Sequence, residues 1–317
     1  MKALITGGTG FIGAQLATDL LAQGASKPVL FDIHPNLERI APIRDKVEIV
    51  QGDLGNFSHV LNAVKQAKPD VIYHLGGMLS IPSDADPAGA FQANAAGSFH
   101  VLEAARLFDV RQFILASTVG TFGADIVEDE ITDRTIQRPG TFYGITKVMA
   151  ENMGRFYKRK YGLDFRGVRY PSVIGAGVKT PAMVQYNSWA IEEAARGNPF
   201  SIWVTPETRT AILYYRDAAR ALSELASVPI DNIQTGVYLL DGPKPMPSAA
   251  ELAERIRAAL PDAKIDFKPD AEIMAMIGKL RRPIDDSRAR QEWGWRHEFD
   301  LDQMIAAIIE DVRGETA

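Results

Sequence analysis

The chain has 317 residues, 46% apolar and 24% charged, with a formal net charge of −5 and no cysteine. That suits one large α/β domain, or a large domain with a small companion, and excludes a disordered or low-complexity chain. The mild acidity without a basic run argues against nucleic acid or an anionic membrane as partner, the missing cysteines exclude thiol catalysis and disulfides, and the five histidines form no HExxH pattern, so no metal site is expected.

No stretch reaches the roughly 18 unbroken apolar residues of a membrane helix. The N-terminus breaks at once into glycines, unlike a signal peptide, so a cytoplasmic location is expected.

In chain order, Met1 to Thr6 (MKALIT) reads as a strand that ends in glycines. Gly10 to Gln23 then carries Phe11, Ile12, Leu16, Leu20 and Leu21 on one helical stripe. Strands follow at Pro28 to Asp32, Val47 to Gly52, Val71 to Leu75, Gln112 to Ser117 and Phe165 to Tyr170. Helical patterns intervene at Ser58 to Gln66, about 87–108 and 143–161. Strands alternating with helices predict parallel βαβ units: an α/β fold with a doubly wound parallel sheet of the Rossmann kind. After Pro171 glycines and prolines punctuate the pattern. Helices are expected at 190–196, 216–226, 249–259 (capped by Ser248) and 303–312, with strands at 212–215 and 235–240. Residues 1–170, with returning segments at about 212–241, are expected to form the nucleotide-binding domain. Residues 171–211 and 242–317 are expected to form a smaller, split substrate-binding lobe.

The first strand opens into Gly7-Gly8-Thr9-Gly10-Phe11-Ile12-Gly13. Gly7, Gly10 and Gly13 in that strand–turn–helix setting provide a tight turn, close backbone approach to a pyrophosphate and close helix packing. The backbone N–H groups from Gly10 to Gly13, including those of Phe11 and Ile12, would meet the phosphates at the helix N-terminus. Asp32 ends the second strand, where a carboxylate holds ribose hydroxyls and repels a 2′-phosphate, which favours NAD over NADP. Asp53 and Leu54, after the third strand, fall where an adenine would lie; Leu75, Gly76 and Gly77 follow the fourth.

Tyr143 and Lys147 form a YxxxK pair, and i and i+4 share a helix face. A lysine there is expected to lower the phenol pKa, so that the tyrosine can take a proton from an alcohol. Ser117-Thr118 ends the fifth strand, where a hydroxyl can hold the reacting oxygen.

These residues together resemble an extended short-chain dehydrogenase/reductase of the NAD-dependent epimerase/dehydratase superfamily. The matching segments are GGTGFIG (7–13), Asp32, GDL (52–54), HLGG (74–77), NAAGSFHVLE (94–103), STVGTFG (117–123) and YGITK (143–147). The resemblance implies NAD as cofactor, with Asn94, Tyr143, Lys147 and Tyr170 added to its contacts. It implies Thr118, Tyr143 and Lys147 as the catalytic set: the family spacing, counted back from Gly123, selects Thr118 over Ser117. It also implies a homodimer built on helices at about 94–108 and 143–161.

Four segments further resemble the short-chain type of L-threonine 3-dehydrogenase: HLGGMLS (74–80), residues 141–171, ILYYRDAARAL (212–222) and residues 283–304. The implied activity is oxidation of the secondary hydroxyl of a small β-hydroxy amino acid or hydroxy acid. By position the substrate would meet Ser80, Thr118, Tyr143 and Tyr186. Two regions depart from that family. The loop after the sixth strand reads PAMVQYNSW (181–189), and Leu280-Arg281 replaces a Trp-Pro pair. Arg209 or Arg281 would then pair with a substrate carboxylate. The rival expectation is a nucleotide-sugar epimerase or dehydratase; Ser172 stands where such enzymes usually carry an Asn.

Overall fold

The structure, a computed structural model, describes residues 1–277 and 282–315. Its strands are β1 (Ala3–Thr6), β2 (Val29–Asp32), β3 (Glu48–Gln51), β4 (Val71–His74), β5 (Gln112–Thr118), β6 (Asp164–Tyr170), β7 (Ser172–Ile174), β8 (Phe200–Ile202), β9 (Ile212–Tyr214), β10 (Val237–Leu239) and β11 (Ile265–Phe267). Its helices are α1 (Phe11–Ala22), α2 (Phe57–Ala67), α3 (Ser80–Ala85), α4 (Pro87–Ala90), α5 (Gly97–Leu107), α6 (Phe142–Tyr161), α7 (Tyr186–Ala195), α8 (Tyr215–Ser227), α9 (Ala249–Ala259), α10 (Ala271–Ile277), α11 (Ser287–Trp293) and α12 (Leu301–Glu315).

Among the described residues, seven strands form one sheet in the order β10-β6-β5-β4-β1-β2-β3, every pair parallel. The order reverses between β1 and β4, and in such sheets the crevice at that reversal, beyond the strands' carboxyl ends, is where ligands bind. The central strands are buried on both sides, which is why they read as unbroken apolar runs. Successive residues serve opposite faces: Ile5, Tyr73 and Ile114 point to one layer, and Leu4, Ile72 and Phe113 to the other. The first layer is closed by α1 and α8 through Leu16, Leu20 and Leu222. The second is closed by α2, α5 and α6 through Val60, Val101 and Ala150. Burying a leucine such as Leu16 contributes about 1.5–3 kcal/mol.

A third core joins α7, α9 and α12 through Ile191, Leu252 and Ile308. Ser248 caps α9 with a complete capping box. The parallel pairs β7–β9 and β8–β11 lie outside the large sheet. The segment expected to return to the sheet therefore does so only in part. β10 pairs with β6, but β9 pairs with β7. The helix expected over about 87–108 is also interrupted, by a π-helical turn at Phe91–Ala96 between α4 and α5. No helix among the described residues is long and apolar enough to cross a membrane.

Candidate active site

A cavity of about 1120 Å³ opens at the carboxyl ends of the strands. The glycine turn after β1 forms one wall. Gly7 has φ +65°, and a Cβ there would stand 2.9 Å from the Gly76 backbone, so the loops after β1 and β4 meet too closely for side chains. Gly13 packs under the same turn, where a Cβ would fall on the Gly7 carbonyl oxygen. No side chain caps the N-terminus of α1, so its first amides and dipole are available to a ligand at the wall formed by Gly10, Phe11, Ile12 and Gly13.

The carboxylate of Asp32 accepts from Thr9 N–H (3.1 Å) and Thr9 Oγ1–H (2.8 Å) through the same oxygen, leaving its other oxygen for a ligand hydroxyl. Asp53, Leu54, Leu75, Gly76 and Gly77 line the same space. Asp53 Oδ1 accepts from Gly55 N–H at 2.8 Å. An uncapped helix N-terminus over a glycine cradle, with an acceptor at the end of β2, fits a dinucleotide.

Thr118, Tyr143 and Lys147 face one another at the other end. A Cβ built on Gly120 would lie 3.4 Å from Thr118 Oγ1 and 3.9 Å from Tyr143 Cδ1, so both side chains border one small volume. Thr118 Oγ1 accepts from Gly120 N–H (3.0 Å), which leaves its own proton free to donate. The neighbouring Ser117 hydroxyl is turned away and donates to Glu151 at 2.6 Å. Thr141 caps α6 through Gly144 N–H, fixing the first turn that carries Tyr143.

Lys147 is buried, donates to the Ala116 carbonyl at 2.9 Å and stands 5.7 Å from the Tyr143 ring centre. Burial lowers its pKa to about 8, with Glu151 opposing that fall. Burial also pushes the Tyr143 phenol up to about 12. This is the reverse of the expected lowering: desolvation of the phenolate sets the direction, and the same dry surroundings weaken the lysine ammonium.

Behind this pair lies Glu151, one turn beyond Lys147 on α6 and fully buried. It accepts from Ser117, from Gln137 Nε2 (3.0 Å) and from Arg169 Nε (3.0 Å) and Nη2 (2.7 Å). Despite burial its carboxyl stays below the ordinary range, because Arg169 and the hydroxyl and amide donors favour the anion. The motif reading passed over Glu151, although its i+4 spacing from Lys147 puts it on the same helix face.

The remaining sequence candidates are placed as follows. Ser80 begins α3 and lines the cavity. Tyr170 lines it as well, its hydroxyl donating to the Ala218 carbonyl at 2.5 Å. Asn94 is buried in the π-helical turn; its amide accepts from Met78 N–H (2.7 Å) and donates to Met78 O and Thr146 Oγ1. It thus ties the loop after β4 to α6 and is not part of the cavity wall. Tyr186 is fully buried in the third core, with its hydroxyl against Thr210 at 3.3 Å and its ring edge-on to Trp203, away from the wall. Arg209 borders the cavity, but its guanidinium is bound by Glu251 (3.0 and 3.3 Å) and the Met246 carbonyl. Arg281 and Leu280 lie outside the described residues.

The chain is similar to several known proteins. Residues 3–238 match the model of the NAD dependent epimerase/dehydratase family. The chain is 30% identical to the mitochondrial L-threonine 3-dehydrogenase of Bos taurus over 310 residues, covering 97% of this chain and 82% of that one. It superposes on the L-threonine dehydrogenase of Phytophthora infestans with a TM-score of 0.89 at 30% identity, covering 99% of this chain and 100% of that one. A monomeric L-threonine 3-dehydrogenase from a metagenome superposes with a TM-score of 0.90 at 26% identity, covering 99% and 100%.

Proposed function

The chain belongs to the NAD dependent epimerase/dehydratase family, and from that premise we propose that it oxidises the secondary hydroxyl of a small β-hydroxy amino acid or hydroxy acid with NAD. The observation that carries the reading is the convergence of Thr118 and Tyr143 on one volume, with Lys147 behind them, in a chain 30% identical to an L-threonine 3-dehydrogenase. NAD, when bound, supplies the hydride acceptor and a positive charge.

The chain's own residues manage the proton. Thr118, its lone pair engaged by Gly120 N–H, donates to the reacting oxygen and orients it. The Tyr143 phenolate takes the hydroxyl proton as the carbon is oxidised. Lys147 keeps donors beyond the one spent on the Ala116 carbonyl; these serve the phenolate and the nicotinamide ribose. Because the phenol starts near 12 and Lys147 loses its proton near 8, the phenolate gains with pH until the lysine charge is lost, and oxidation is favoured in the mildly alkaline range. Residues 1–170, with α8 and β10, serve as the nucleotide domain, and the third core serves as the substrate lobe.

A homodimer through α5 and α6 fits the apolar side chains exposed there: Phe99 and Leu107 on α5, Ile145, Met149 and Phe156 on α6. Sedimentation tests it: a monomer at micromolar concentration counts against the dimer. The function is tested by incubating the protein with NAD and a panel of hydroxy acids and β-hydroxy amino acids, read at the NADH absorbance. Reduction of NAD by at least one member supports the reading; silence across the panel overturns it.

A further inference from the structure

The substrate end of the cavity carries a cation with an unanswered donor. Other basic side chains on the wall are committed or turned outward. Lys147 donates to Ala116 O, Arg209 is paired with Glu251, Arg39 donates to Gly177 O, and Lys179 is exposed. Arg282 differs. It lines the cavity, and its Nε is buried with no hydrogen-bond partner. Its nearest acid is Asp129, 3.7 Å from Nη1 and fully exposed, a contact that screening makes weak.

The backbone holding Arg282 is fixed. Ile131 N–H donates to Pro283 O and Asp285 N–H to Ile131 O, both at 2.8 Å, and Lys244 Nζ donates to Ile284 O at 2.7 Å. Ile284 packs in one apolar cluster with Phe122 and Val119, the residue after Thr118. That packing puts the Arg282 segment beside the catalytic end, away from the glycine cradle. The carboxylates on the wall are used elsewhere: Asp32 and Asp53 end the β2 and β3 side, and Asp84 Oδ1 accepts from Phe142 N–H. An arginine on the wall, held only by a long contact to an exposed acid and without a free carboxylate beside it, calls for an acceptor-rich anionic group.

We propose that Arg282 binds the carboxylate of the substrate, so that the enzyme selects small hydroxy acids by their acid group. The inference rests on the dehydrogenase reading and deepens it. It is tested by steady-state kinetics of the wild type, Arg282→Ala and Arg282→Lys, using the best acid substrate and its uncharged amide. For Arg282→Ala the KM for the acid should rise on the order of 30-fold or more, with kcat nearly unchanged. Arg282→Lys should recover part of the loss, and the amide should be used equally by wild type and Arg282→Ala. NAD titration by fluorescence confirms that each variant is folded and retains the cofactor site. An unchanged KM in Arg282→Ala, or equal losses on acid and amide, overturns the carboxylate subsite while the dehydrogenase stands. Failure of the wild type on every hydroxy acid overturns both.

Discussion

Glu151→Ala probes the support behind the catalytic pair. The carboxylate is fully buried and answers Arg169 twice, Ser117 and Gln137. Its removal leaves the Arg169 guanidinium buried with only Asp133, at 3.7 Å. Deleting one partner of a buried ion pair costs about 3–5 kcal/mol, because the other charge is stranded. Urea unfolding followed by circular dichroism at neutral pH should show that loss, and thermal unfolding a melting temperature lower by roughly 5–8 °C. A second effect is chemical. Glu151 opposes the fall of the Lys147 pKa, so the variant should deprotonate Lys147 below the wild-type value of about 8. The alkaline side of the rate profile should then bend at lower pH. A stability change under about 1 kcal/mol, together with an unshifted profile, would refute the claim that this carboxylate holds the site.

Three further outcomes follow from the same contacts. Gly13→Ala would press a Cβ onto the Gly7 carbonyl oxygen, and fluorescence titration should show NAD affinity lower by roughly tenfold or more; wild-type affinity would contradict the cradle. Asp32→Ser removes the acceptor at the end of β2, so the preference for NAD over NADP, read as the ratio of kcat/KM values, should fall; an unchanged ratio would remove Asp32 from cofactor selection. Asp241, raised from 3.8 to about 6 by burial, keeps its proton in the fold at pH values where the unfolded chain has lost it. The stability associated with that proton is present below about pH 4 and lost as pH rises through 6, up to about 3 kcal/mol. Asp241→Asn should flatten this decline in unfolding curves taken across that range, and an equally steep decline in the variant would disprove it.

The first half of the chain was legible because its physics is local. Parallel strands buried on both faces are apolar without a break, as Ala3–Thr6 and Val71–His74 are. The glycine turn follows from the close approach of two backbones at Gly7 and Gly76, which leaves no room for other residues. Tyr143 and Lys147 sit one helical turn apart, and so does Glu151 from Lys147, a step the motif reading stopped short of. The second half was less legible. β7, β8 and β11 have three residues each, too short for a period to show. Pairing of β9 with β7 is a tertiary choice that alternation cannot encode. Sequence spacing places a charge beside Tyr143 but carries no information on the burial that raises its phenol. Nothing in the sequence separated Tyr186, whose ring fills the third core, from a cavity residue. Nor did anything separate Arg282 from an ordinary surface arginine, since its unpaired Nε is a property of the packed loop.

The central claim is that Tyr143 moves the proton in an NAD-dependent oxidation. Single-turnover NADH formation with the preferred hydroxy acid, measured for wild type and Tyr143→Phe alongside NAD titration, tests it most directly. The account predicts NADH from the wild type, and from Tyr143→Phe an NAD affinity near wild type with a rate lower by on the order of 10²–10⁴-fold. A Tyr143→Phe rate close to that of the wild type would contradict it.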